Sequence, residues 1–160
     1  MTLATEPVEL QSKYLPLFID STKAVLSTML GWSVEVGPML KSGSSRTAHD
    51  VSGIIGFGGP LQCTIVVSVD KEVAFAAAEA FLGDRPTEVD SDVRDLVAEL
   101  ANMIGGGAKE RIGRSDIALG LPTSVSGIDH VINFDRGADV ETVQFKCPHG
   151  NLTVIVAIRN

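Results

Sequence analysis

Hydrophobic residues recur every three to four positions in three segments of the chain, the spacing that places them on one face of an α-helix. These segments predict three helices: Glu9–Leu30, Asp70–Phe81 and Asp90–Ile112. Pro16 lies inside the first segment and predicts either a kink or a delayed helix start near Leu15. Gly83 and Gly113 follow the second and third segments and predict their ends, because glycine commonly closes a helix.

Shorter segments alternate apolar and polar residues or are continuously apolar, as β-strands do. They predict six strands: Trp32–Leu40, Val51–Phe57, Leu61–Val69, Ile128–Phe134, Val140–Cys147 and Leu152–Ile158. Gly58-Gly59-Pro60 is typical of a hairpin turn, and the polar residues Lys41 to His49 predict a mobile loop. Strands joined by short turns, with helices before and between them, indicate an α+β sandwich with a largely antiparallel sheet.

The third predicted helix carries the clearest chemical pattern. Its apolar stripe consists of Val93, Leu96, Val97, Leu100, Ile104 and Ala108. At about 100° per residue, Asp95, Glu99, Asn102 and Gly106 fall together on the opposite side. A glycine on an exposed helix face costs about 1 kcal/mol relative to alanine. Close approach of another macromolecule is one reason for a bare backbone there.

Two stretches of the chain resemble the CheX/CheC family of chemotaxis phosphatases. Glu99-Leu100-Ala101-Asn102-Met103-Ile104, with Gly106 and Ala108-Lys109, is similar to the family's signature helix, and Leu119-Gly120-Leu121-Pro122 is similar to the segment that follows it. Gly107 stands where relatives often carry asparagine, and the run Gly105–Gly107 leaves the straightness of the helix open. The resemblance extends from about Glu9 to Arg159 and implies a CheC-like two-layer sandwich with one long signature helix.

The resemblance implies hydrolysis of the phosphoaspartate of a CheY-like response regulator. Glu99 and Asn102 would be the catalytic pair, and Asp95 and Gly106 would contact the partner. No cofactor of its own is expected, because the Mg²⁺ would belong to the regulator. Relatives of the single-signature type are homodimers joined through a sheet, and the apolar C-terminal strands offer edges for such pairing. The first helix lacks the Glu and Asn over Asp20–Ser27, so one active face per chain is expected.

Other interpretations of these residues remain open. A Glu and an Asn three positions apart on a helix are, taken alone, most often solvated surface. The same fold in relatives at the flagellar switch makes a non-catalytic, regulator-binding interaction module the alternative function. Gly105–Gly107 lies inside a helical pattern, not between a strand and a helix start, and so is a weak candidate for a phosphate cradle.

The composition of the chain excludes some classes of function and location. The 160 residues carry a formal net charge of −7 with scattered basic side chains, which disfavours nucleic-acid and anionic-membrane surfaces. We expect one domain over residues 1–160 with a flexible segment at 1–8, no signal peptide and a cytoplasmic location. Cys63 and Cys147 are expected to be reduced core thiols. No metal is assigned to Cys147-Pro148-His149, and His49, His130 and His149 are expected to be structural or solvated.

Overall fold

The structure, a computed structural model, describes residues 13–42, 45–47 and 49–159. In this part of the chain the helices are α1 Leu15–Leu30, α2 Lys71–Leu82 and α3 Ser91–Ile112. The strands are β1 Glu35–Ser42, β2 Ser45–Thr47, β3 Val51–Gly58, β4 Gln62–Val69, β5 Ala118–Leu119, β6 Thr123–Ser126, β7 Val131–Asn133, β8 Ala138–Cys147 and β9 Gly150–Arg159. The predicted α+β class is confirmed.

The strands form one large antiparallel sheet and a small two-stranded one. The large sheet has the order β1-β8-β9-β4-β3-β5, and β6 also pairs with β3 on the side of β5. The small sheet joins β2 and β7. The C-terminal strands β8 and β9 are each paired on both sides. The expectation that they would supply the free edge for dimer pairing is therefore wrong, and among the described strands β1 lies at that edge of the sheet.

Side-chain alternation divides the large sheet into an inner and an outer face. Along β4, the inner face presents Cys63, Ile65 and Val67 to the main core, which all three helices cover. The outer face presents Val66 to a second, smaller apolar cluster with Ile155. Sheet and helices thus form the two expected layers, and the segment around β7 adds a partial cover to the outer face.

α3 crosses the sheet directly above β3, and Gly53 makes this approach possible. A Cβ at position 53 would collide with the carbonyl oxygen of Val97 and would lie 3.0 Å from the Cβ of Ala101. Because that position carries no side chain, the helix backbone rests on the strand. This contact places Val97 and Ala101 against the sheet and turns the opposite face of α3 away from it.

The predicted elements differ from the observed ones mainly at short segments. The described part of α1 begins at Leu15, with proline in its first turn. Of the two alternatives predicted from Pro16, the delayed helix start is therefore the one observed. The predicted residues before 13, including the segment 1–8, lie outside the described residues. β1 is displaced toward Ser42 and contains an irregular register between Val36 and Met39, where Gly37-Pro38 interrupts the pairing.

The polar loop predicted over 41–49 was wrong in part, because β2 lies within it and pairs with β7. β7 itself covers only residues 131–133 of the longer predicted strand Ile128–Phe134. β5 and β6 were not predicted at all. They contain two and four residues, too few for an alternating pattern to be recognised.

Two histidines hold connecting segments against the outer face of the sheet. His49 lies 3.0 Å from Asp70 through Nδ1 and 2.8 Å from the Thr153 hydroxyl through Nε2. His130 lies 2.7 Å from the buried Ser52 hydroxyl through Nε2. These bonds give both side chains the structural role expected from the sequence.

Both cysteines are free thiols and buried, as expected. Burial raises the pKa of Cys63 to about 12 and that of Cys147 to about 11, because the thiolate would lose its hydration. Reactive cysteines need a depressed pKa and access to solvent, so neither thiol has the properties of a nucleophile. None of the described helices is both long and apolar enough to cross a membrane.

The approach of α3 to β3 can be tested with two glycines of the same strand. Gly53→Ala is expected to lower the free energy of unfolding by about 1–3 kcal/mol, because the new methyl group overlaps a helix carbonyl that cannot rotate away. Gly58→Ala is the control, since no atom lies within 4 Å of its added Cβ. Urea unfolding monitored by circular dichroism measures both. Equal stability of the two variants would contradict the proposed contact.

Candidate functional site

α3 is well defined at both ends. The Asp90 side chain accepts a hydrogen bond of 3.0 Å from the Val93 N–H and so caps the first turn. Lys109 and Arg111 lie in the last turn, where positive charge interacts favourably with the helix dipole. Gly113 closes the helix in the left-handed conformation with φ 77°. The 22-residue helix continues through all three consecutive glycines.

The two predicted faces of α3 are observed. Its buried side consists of Val93, Val97, Ala98, Leu100, Ala101, Ile104, Gly105 and Ala108. On the opposite side, Asp95 and Glu99 are exposed, and Asn102 and Gly106 are half-buried. The four residues selected from the sequence therefore share one surface that another molecule can reach.

Glu99 and Asn102 are in contact on this surface. The Asn102 amide nitrogen donates to Glu99 Oε1 over 3.4 Å, longer than the usual 2.9–3.0 Å. Such a bond orients the carboxamide but holds it weakly. It engages one of the two amide N–H donors, and a carboxamide both donates and accepts hydrogen bonds without adding charge. The pair can therefore position a small polar molecule next to a carboxylate.

The exposed face is predominantly acidic. Asp95 lies one turn before Glu99, and like charges four residues apart destabilise a helix by about 0.2–0.5 kcal/mol. Because the two carboxylates repel each other slightly, a positively charged group of a partner would relieve the repulsion on binding. The face thus favours a partner that brings positive charge.

The three glycines of α3 have three different environments. A Cβ at Gly105 would lie 3.3 Å from Ile55 and from Leu119, so this glycine lets α3 approach the sheet. A Cβ at Gly107 would collide with the hydroxyl of Ser21 in α1.

At Gly106 the nearest atom to an added Cβ is a Leu119 methyl group at 3.9 Å, an ordinary contact distance. Packing within the chain therefore explains Gly105 and Gly107, whereas at Gly106 it leaves room for a side chain.

α1 supports α3 on the side away from β5. The buried Ser21 hydroxyl donates to the Ile104 carbonyl at 2.7 Å, a bond that the close approach at Gly107 allows. No Glu/Asn pair occurs in the matching segment of α1, as noted from the sequence.

β5 and β6 form the other border of the site, and sequence reasoning did not predict them as strands. They run antiparallel beside β3 along the sheet edge next to α3. Leu119 of β5 reaches the glycine run of the helix. The signal in the sequence was the Leu-Gly-Leu-Pro stretch, which marked this segment as distinctive without showing where it lies.

The residues that the structure describes form no metal centre at the Glu99/Asn102 pair. Among residues 13–42, 45–47 and 49–159, no three His, Cys, Asp or Glu side chains are grouped so that they could hold a metal ion. A groove of about 530 Å³ lies on the outer face of the sheet, lined by residues including Ile54, Val66 and Phe134. Glu99 is exposed and Asn102 half-buried on the helix surface, where another protein can reach them.

The chain is similar to known proteins over most of its length. The pattern of the family described as chemotaxis phosphatase CheX matches residues 51–146, which include all of α3 and the β5–β6 edge. No curated protein sequence matches the chain.

Among solved structures, the chemotaxis protein CheX from Vibrio vulnificus is 26% identical, with a TM-score of 0.84 over 92% of this chain and 100% of the other. A CheC-like superfamily protein from Shewanella sp. PV-4 is 27% identical, with a TM-score of 0.85 over 94% and 99%. The CheX-CheY-BeF₃-Mg²⁺ complex from Borrelia burgdorferi matches at 23% identity and a TM-score of 0.73 over 94% and 100%.

The environments of the three glycines predict an order of stability for their alanine variants. Gly106→Ala is expected to raise the free energy of unfolding by up to about 1 kcal/mol, because it gains helix propensity without a clash. Gly105→Ala is expected to be intermediate. Gly107→Ala is expected to be the least stable, since its methyl group displaces the Ser21 hydroxyl from the Ile104 carbonyl, at about 1–3 kcal/mol.

Thermal and urea unfolding of the three variants side by side measure this order. The interpretation of Gly106 as an open position is contradicted if Gly106→Ala is less stable than Gly107→Ala.

Proposed function

This chain belongs to the family of the chemotaxis phosphatase CheX, and from that premise we propose that it hydrolyses the phosphoaspartate of a CheY-like response regulator. The observation that carries the proposal is the Asn102 carboxamide on the exposed face of α3, in contact with Glu99 at 3.4 Å. The Borrelia burgdorferi complex, in which a CheX protein is assembled with CheY, BeF₃ and Mg²⁺, supports this class of partner.

The reaction breaks the bond between phosphorus and the aspartyl carboxylate oxygen. The oxygen of a water molecule attacks phosphorus, the aspartate carboxylate leaves, and the products are the free carboxylate and inorganic phosphate with the proton of the water released. An acyl phosphate already has a good leaving group. Catalysis of phosphoryl transfer is largely positioning and charge stabilisation, so the principal remaining task is to hold the water in line.

Asn102 is suited to hold that water. Its amide accepts a hydrogen bond from the water and keeps the oxygen lone pair directed at phosphorus, as a glutamine does in GTP hydrolysis. A neutral amide adds no charge next to the phosphoryl oxygens. The regulator's own Mg²⁺ and lysine neutralise those oxygens, so this chain supplies the amide and the partner supplies the positive charge.

The other residues of the face have roles in docking. Glu99 would pair with the regulator's lysine and so fix how deeply Asn102 enters the partner's site. Asp95, one turn earlier, would add a second contact for positive charge. Gly106 would leave space for a backbone loop of the regulator, which agrees with the room around its added Cβ.

We further propose that the protein acts in the cytoplasm and forms a homodimer, as the family resemblance implies. With β8 and β9 paired on both sides, β1 is the strand for pairing between two copies. The solution mass from sedimentation equilibrium tests this, and a mass of one chain at micromolar concentration would contradict it.

Asn102→Ala is expected to lower the rate of phosphoaspartate hydrolysis at saturating regulator by at least about 100-fold, because the water loses its positioning contact. Folding and binding should be retained, since the side chain is on the surface. Release of phosphate from receiver domains phosphorylated with acetyl phosphate measures turnover. Glu110→Ala, a charge removed two turns further along the exposed side of the helix, serves as the control and should keep the wild-type rate.

A wild-type rate no faster than the regulator's own decay would contradict the proposal and favour a binding module without catalysis. Gly106→Ala belongs in the same assay. A higher KM with unchanged kcat is the expected result if the bare backbone serves docking, because the added methyl group obstructs the partner and leaves the amide in place.

A further inference from the structure

Leu121 is the most exposed large aliphatic side chain that the structure describes, with 90% of its surface accessible. A single exposed leucine is common on protein surfaces. This one is held in a fixed position, because the Gly120 N–H donates to the Gly56 carbonyl of β3 at 2.8 Å and Leu119 belongs to β5. Pro122 follows and restricts the backbone on the other side. The leucine is therefore presented by an ordered sheet edge.

The path of β5 brings Leu121 near the turns of α3 that follow Asn102. Leu119 reaches positions 105 and 106 of α3, and two residues of extended chain span at most about 7 Å, so Leu121 lies close to the same turns of the helix. Viewed down the axis of α3, at about 100° per residue, Asn102 points between Gly105 and Gly106. Gly105 faces β5. The amide is thus on the Leu121 side of the exposed face.

We propose that Leu121 is the apolar contact through which this chain binds the phosphorylated receiver domain of its partner. The inference rests on the proposed function, which requires a protein domain to seat over Asn102. A specific interface buries about 800 Å² on each partner, which corresponds to a disc of about 16 Å radius. An interface of that size centred on Asn102 would extend over the neighbouring β5–β6 edge, to which Leu121 belongs.

The exposed face of α3 needs such a contact because it is otherwise polar. Asp95, Glu99 and Asn102 can orient a partner and select for positive charge, but charged groups exposed at an interface contribute little affinity. Binding energy in protein interfaces is concentrated in a few buried apolar or aromatic anchors surrounded by polar contacts. Leu121 beside the polar pair matches that arrangement, and the partner is expected to supply an apolar depression next to its phosphorylated aspartate.

The test compares Leu121→Ser with Ile128→Ser. Both replace an exposed aliphatic side chain of the same segment, and Ile128 is 85% exposed but lies beyond the other end of β6. The ligand is the receiver domain that the wild-type protein binds best from a panel activated with beryllofluoride and Mg²⁺. Leu121→Ser is expected to raise the Kd by roughly 10- to 100-fold, the effect of leaving one leucine unburied.

Ile128→Ser should leave the Kd within about twofold, and Leu121→Met should restore most of the affinity because methionine keeps an apolar side chain of similar volume. At saturating phosphorylated receiver, Leu121→Ser should keep the wild-type kcat with a raised KM, since a contact remote from the phosphoryl group contributes uniform binding. Thermal unfolding should be unchanged, as the side chain is solvent-exposed.

An unchanged Kd for Leu121→Ser, or an equal loss in Ile128→Ser, would overturn this inference and leave the proposed function intact. A wild-type protein that binds no activated receiver would overturn both. An Asn102→Ala variant with normal turnover would overturn the catalytic proposal alone, because the binding measurements on Leu121 do not depend on hydrolysis.

Discussion

The contact between α3 and β3 determines which residues of this protein can act. Gly53 lets the backbone of the helix rest on the strand at Val97 and Ala101, and Gly105 allows the same approach further along. Interiors are close-packed, so this seating fixes the rotation of the helix about its axis. A helix rotated by half a turn would bury Glu99 and Asn102 and expose the aliphatic stripe. The exposed polar pair is thus a consequence of close packing where two side chains are missing, at Gly53 of the strand and at Gly105 of the helix.

The three consecutive glycines of α3 each make a different contact. Each residue advances about 100° around the axis, so three neighbours point in three directions. Gly105 faces the sheet, Gly107 faces Ser21 of α1, and Gly106 faces outward past Leu119. The cost of glycine in a helix is offset at the first and third positions by close packing. At the second position nothing within the described chain offsets it, which is why we connect that residue with the approach of a partner.

The proposed working surface combines two elements of different character. α3 supplies polar side chains on a rigid helix, with Asn102 oriented but weakly held by Glu99. The sheet edge supplies an apolar side chain at Leu121, held by the hydrogen bond from Gly120 to Gly56. Because catalysis of this kind depends on positioning, a partner held at two places of opposite chemistry is located more precisely than one held by charge alone.

The sequence by itself determined the parts of the protein that depend on neighbouring residues. Hydrophobic repeats of 3.6 residues predicted α2 and α3, and repeats of 2 residues predicted the β3–β4 hairpin. The helical repeat also assigned Glu99 and Asn102 to the exposed side of α3. Family resemblance then supplied a chemistry for a pair whose spacing alone has many explanations.

Only the tertiary structure decided the contacts between residues far apart in the chain. It placed β5 and β6, too short for any periodicity, beside the signature helix, and it enclosed β8 and β9 within the sheet instead of at an edge. It also showed what the neighbours of Gly106 meet, with Gly105 against the sheet and Gly107 against Ser21 of α1. The physical reason is the same in each case: local spacing fixes the direction in which a side chain points, whereas what it meets there depends on strands and helices brought together by folding.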